Sequence, residues 1–187
     1  RERRIGSLAP AMLAGLCVAS VPSDALALSC RLPSQHAGLS FPVERIDPAW
    51  PCRLEPILTN YTTANKIGPV VTPLSRSLYE YLLDHPPVAA ALVNRLELGL
   101  HKSELREQER FWVTDGEGTE AVVDLVHQDR HGAHTVRLYY LEGTHDGRFL
   151  PAMSGTAVVL LWIRSAVDAS GHTATETTMV AYLRVNN

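Results

Sequence analysis

The sequence predicts an α+β domain in which two short helices precede an antiparallel β-sheet. Three observations predict it. Apolar residues recur at helical spacing between Thr72 and Gly99, β-branched and alternating segments fill the stretch from Thr119 to Val185, and turn-forming clusters separate those segments. With 187 residues and 45% hydrophobic content, the chain holds enough apolar material for one core and is short for two domains. Its formal net charge of -3 offers no electrostatic footprint for nucleic acid, so DNA or RNA binding is not expected.

Taken in order, Arg1, Arg3 and Arg4 precede an apolar stretch from Leu8 to Val21, and Ala25-Leu26-Ala27 places small residues where a signal peptidase reads. Residues 1–27 are therefore expected to be a secretory signal cleaved after Ala27, which puts the mature chain in the periplasm or outside the cell. The apolar stretch is shorter than the roughly 20 residues of a membrane span, so no integral span is expected after cleavage. Cleavage also removes Cys17. An oxidising compartment then favours a disulfide between Cys30 and Cys52, with two unrelated thiols as the alternative.

Residues 28–61 carry Pro33, Pro42, Pro48, Pro51 and Pro56, which predicts an extended arm pinned to the body by Phe41 and Trp50. Residues 62–187 form the body. Pro73 is read as opening a helix that gathers Leu74, Leu78, Tyr81 and Leu82 on one face and ends at Asp84-His85-Pro86-Pro87. A second helix starts within Pro87-Val88 and runs through Leu96 to near Gly99. Residues 100–113 are read as a strand, because Phe111-Trp112-Val113 outweighs the helical propensity before it. Strands follow at Thr119–Gln128 and His134–Glu142, with turns at 114–118 and 129–133. Gly143 to Ser154 is read as a loop. Gly155–Arg164 is apolar on both faces, so it must sit centrally or line a cavity, and Thr173–Val185 is the last strand.

Leu78-Tyr79-Glu80-Tyr81-Leu82-Leu83-Asp84-His85-Pro86, Asp115-Gly116-Glu117-Gly118-Thr119 and Leu138-Tyr139-Tyr140-Leu141-Glu142-Gly143, set in this order of elements, resemble the START-like, or polyketide cyclase-like (SRPBCC), superfamily over residues 62–187. That resemblance implies a helix-grip fold, in which a curved sheet wraps a long C-terminal helix around a cavity for lipids, sterols or polyketides. It implies binding first and catalysis only in some members. The sequence departs from the family where Asn186-Asn187 follow the last strand directly. Either the sequence stops short, or the apolar sheet face is covered by the arm or by a partner.

Tyr140, Glu142 and His145 fall where a polar group could meet a ligand at a cavity mouth. Val158, Leu160, Trp162 and Met179 are the residue types that line one. Tyr139 and Tyr140 must face opposite sides of their strand. Arg137, Glu176, Asp124 and Arg184 are expected on the solvent face; if two turned inward, they would pair in a cavity floor and orient a polar ligand head. His127, His131 and His134, at a hairpin tip, and Asp115, Glu117 and Glu120, in a turn, match no metal-site pattern, so neither metal nor cofactor is expected. The expected function is an exported binding protein for a hydrophobic small molecule or lipid, without covalent chemistry. The alternatives are a cyclase- or hydrolase-type enzyme using Tyr140, Glu142 or His145, and an envelope protein that presents a sheet face to a partner.

Overall fold

The computed structural model describes residues 30–36, 38–98, 101–147 and 151–186. The signal read at residues 1–27 lies outside them. A small hairpin of β1 (Gln35–His36) and β2 (Leu39–Ser40) and a 3-10 turn (Val43–Arg45) lead into α1 (Pro51–Thr59) and β3 (Thr63–Thr72). Two helices follow, α2 (Arg76–Asp84) and α3 (Pro86–Arg95). Six strands complete the chain: β4 (Lys102–Glu107), β5 (Arg110–Thr114), β6 (Thr119–His131), β7 (His134–His145), β8 (Met153–Val167) and β9 (Thr173–Asn186). The long strands form one curved, open sheet in the order β3-β9-β8-β7-β6-β5-β4, every neighbour antiparallel.

Side-chain alternation along β7 separates the two faces of this sheet. Leu138 and Tyr140 point towards α1, and they join a buried cluster with Val158, Leu160, Val180 and Tyr182 from β8 and β9 and Leu54, Ile57 and Leu58 from α1. Leu32, Phe41 and Ile46 from the preceding segment enter the same cluster. α1 and the preceding segment cover the middle of this face, and open clefts remain at its ends, one of about 510 Å³ against Phe41, Val136 and Trp162 and one of about 360 Å³ along Trp112 and Glu142. Arg137, Tyr139 and Leu141 point the other way, towards α2 and α3. Neither of those helices has a buried residue, so the second face is covered only in part.

Several elements depart from the sequence reading, each for a local reason. The arm is not extended throughout, because Pro51–Thr59 is helical. Pro51 occupies the first turn, where its missing N–H costs nothing, and burial of Leu54, Ile57 and Leu58 offsets the interior Pro56. Cys52 in this helix is bonded to Cys30, with Cα atoms 5.0 Å apart. The helix expected to open at Pro73 begins at Arg76, since Ser75 is extended and its Oγ accepts from the Leu78 backbone N–H at 3.3 Å as an N-cap. Residues 100–113 hold a hairpin, β4 and β5, turning at Glu109 with φ 63°. β3 carried no clear strand pattern because Gly68-Pro69 interrupts it. There Gly68 adopts φ 107° and the register with β9 slips between Ile67 and Val70. The turn read at 129–133 shrinks to Gly132-Ala133, and the loop read at 143–154 gives up its ends to strand, 143–145 to β7 and 153–154 to β8, with Gly143 paired to Gly155.

Candidate functional site

A second irregularity shapes the partly covered face. Between Leu125 and His127 the β6–β7 register slips by one residue, so Val126 joins the buried cluster and the parity of β6 changes beyond it. Asp129 consequently pairs with Arg45 on the arm side, while Arg130 reaches Asp84 and Glu80 on the helix side. The strand thus supplies a charge to each face.

Between α2, α3 and this sheet face lies a cleft of about 600 Å³, within the range of roughly 300–1,000 Å³ typical of small-molecule sites. Leu82, Leu83, Pro86, Ala89, Ala90 and Val93 form its helical wall; Phe111, Val113, Val123, Tyr139, Leu141 and Val159 form its floor. The lining is overwhelmingly apolar. His101, Lys102, Thr114 and Asp115 border it on the β4–β5 side, where the buried Oγ of Ser103 has no hydrogen-bond partner among the described residues. Asp115 is fixed by its turn: hydrogen bonds from the Thr119 side chain and from the backbone N–H groups of Glu117 and Thr119 hold its carboxyl down at about 2. Thr119, Ala121 and Leu141 continue into a smaller apolar cleft of about 230 Å³ that also includes His145, Met153 and Leu183.

Tyr139 carries the cleft to its polar end. It lines both this cleft and an adjoining one on the far side of the α2–α3 junction. Its hydroxyl accepts from Nη1 of Arg137 at 3.3 Å, and Nη2 of Arg137 donates to Oδ1 of Asp84 at 2.7 Å. Arg137 is fully buried, and its Nε has no partner among the described residues. Arg130 pairs with Asp84 and Glu80, Arg76 pairs with Glu80, and Thr135 donates to Glu80 at 2.6 Å. Three guanidinium groups thus face two carboxylates. Partial burial would raise the Glu80 carboxyl, but the hydrogen bonds from Arg76 and Thr135 and the two arginine charges outweigh it and hold the group low. Burial raises the Tyr139 phenol above its ordinary value, so it is neutral at physiological pH and keeps a proton to donate.

The residues read from the sequence divide between the faces. Tyr140, Val158 and Leu160 are buried against α1; Trp162, packed beside them, also lines the cleft at the arm, and Glu142 lines the cleft beyond. The Tyr140 ring lies against Trp50 at 5.5 Å and under the Arg53 guanidinium at 4.6 Å, and its hydroxyl is 3.4 Å from Glu142. His145 sits on the opposite face, with Nδ1 3.0 Å from the Thr119 hydroxyl, so Tyr140, Glu142 and His145 do not converge on one pocket. Met179 shares the helix-side face, opposite Leu161. Arg137, expected in solvent, is buried. Asp124 is also largely buried, facing Arg110 at 3.3 Å, whereas Glu176 holds exposed Arg164 through two hydrogen bonds of 2.7 and 2.8 Å.

Sequence reasoning passed over Tyr139, Phe111 and the inner faces of α2 and α3. Alternation split Tyr139 from Tyr140, but choosing the open face required knowing that α1 covers the other. Among the described residues no cluster of three or more His, Cys, Asp or Glu is placed to hold a metal ion. Nor is any helix among them long and apolar enough to cross a membrane. Comparison with protein-family models, with curated proteins and with solved structures found no match.

Proposed function

We propose that this chain is an exported protein that binds a hydrophobic small molecule or lipid, without covalent chemistry, in the cleft between α2, α3 and the open sheet face. The observation that carries this reading is the cleft itself, whose helical wall and floor are built of aliphatic and aromatic side chains while its polar groups gather at the ends. The START-like resemblance supports it, since it implies a curved antiparallel sheet that shelters a cavity for lipids, sterols or polyketides. The arginines and the apolar run before Ala27 support export.

A second reading rests on the helical pair. Leu78, Tyr81, Val88 and Leu92 stay 40–47% exposed, a run of large apolar side chains of the kind that a protein partner covers. The two readings separate in one titration with the fluorescent probe 1-anilinonaphthalene-8-sulfonate. Binding in the cleft predicts saturable, one-site fluorescence enhancement that Ala90→Trp, which fills the helical wall, abolishes without changing the melting temperature. Enhancement that survives Ala90→Trp and falls instead with Leu78→Ser and Leu92→Ser overturns the cleft reading in favour of the exposed face.

A further inference from the structure

The polar end of the cleft is more specific than an apolar pocket requires. An apolar ligand alone would be served equally well by Phe at position 139 and a hydrocarbon side chain at 137. Instead, β7 places an arginine with no exposed surface directly behind the tyrosine that lines the cleft. Burying a guanidinium is costly, and its one carboxylate partner, Asp84, is shared with Arg130. The cluster therefore keeps an excess of positive charge. Among the described residues the Tyr139 hydroxyl proton has no acceptor, since that oxygen accepts from Arg137, and the Nε–H of Arg137 behind it is also unpaired.

We propose that the ligand is a single-chain amphiphile with a carboxylate head, seated so that the head accepts from the Tyr139 hydroxyl in the field of Arg137 while the chain runs along Leu83, Val93, Phe111 and Leu141. This rests on the cleft reading above and deepens it. The wall offers the head one hydroxyl donor beside one excess positive charge, which a singly charged carboxylate matches, whereas a phosphate, with a third terminal oxygen and a larger charge, would need more than the wall provides. A cationic head is repelled by the excess guanidinium charge. An uncharged hydroxyl forms the hydrogen bond without the charge assistance.

The test is displacement of the same fluorescent probe by dodecanoate, dodecanol and dodecylamine near neutral pH, each below its micelle-forming concentration. Dodecanoate is expected to displace the probe at a concentration about tenfold or more below the other two. In Tyr139→Phe that advantage is expected to shrink to about twofold, in a variant that stays folded with a melting temperature lowered by the lost hydrogen bond to Arg137. In Lys102→Ala, at the opposite side of the cleft, the advantage is expected to persist. Equal displacement by all three heads overturns the carboxylate assignment and leaves the cleft reading standing; displacement by none overturns both. An advantage lost in Lys102→Ala and kept in Tyr139→Phe overturns the placement of the head. If Tyr139→Phe does not fold, the wild-type series and Lys102→Ala still decide.

Discussion

The guanidinium of Arg137, at the centre of the sheet, donates across 2.7 Å to the carboxylate of Asp84, the last residue of α2. This bond ties the helical pair to the sheet at the point where the cleft ends. The two partners are not equivalent, because Arg137 is fully buried whereas the Asp84 side chain is about a third exposed and has Arg130 as a second partner.

Removing the acid is therefore expected to be worse than removing the base. Asp84→Ala strands a buried charge and should lower stability by about 3 kcal/mol, whereas Arg137→Met keeps the volume, leaves Asp84 with Arg130 and should cost less. Urea unfolding of the two variants measures this order directly. Equal losses would mean that the charge network contributes packing only.

On the α1 face, Leu54 has no exposed surface and sits between α1 and the central strands. Leu54→Ala should cost about 2–5 kcal/mol, the range for emptying a well-packed aliphatic site. A loss below about 1 kcal/mol would show that α1 is a loose strap and that the core lies elsewhere.

Reduction should act on the same helix. The bond between Cys30 and Cys52 closes a loop with a sequence separation of 22, and opening it by Cys52→Ser should lower stability by about 3 kcal/mol in the chain-entropy model. Coincident denaturation curves of the parent and the variant would contradict this. The variant should still bind the probe, because the disulfide and the cleft lie on opposite faces.

Burial holds the His127 imidazole below its ordinary value of 6.5; the Arg45 charge acts in the same direction, while Asp129 and the Arg45 backbone oppose it. A histidine depressed in the folded state contributes nothing above both values. As pH falls below about 6.5, the unfolded chain takes up a proton that the fold resists, so stability falls. His127→Gln should flatten the stability profile below about pH 6.5. An unchanged slope would assign that loss to other groups.

Much of the sheet was legible because β6, β7 and β9 are rich in β-branched and alternating residues, β8 is a continuous apolar run, and glycines mark the turns between them, and the two helices announced themselves through the spacing of Leu78, Tyr81 and Leu82 and through Pro86-Pro87. α1 was hidden by its own prolines. Only the pairing of Leu54, Ile57 and Leu58 with residues about 80–130 positions later makes a helix there worthwhile, and no local pattern carries that information. The same blindness put Tyr140 rather than Tyr139 among the candidate site residues. Tyr140 and Tyr139 are equivalent to any local reading, and the choice between them rests on which face α1 covers. The inward Arg137 was foreseen only as the lesser possibility, since its partner Asp84 lies 53 residues away on a helix.

The central claim, that the open face holds a hydrophobic ligand, is tested most directly by native mass spectrometry of the protein purified from an exporting host, followed by organic extraction. The account predicts a monomer carrying one stoichiometric lipid-like mass that extraction releases and that Ala90→Trp lacks. A ligand-free dimer or larger assembly would contradict it and assign the apolar helical face to a protein interface.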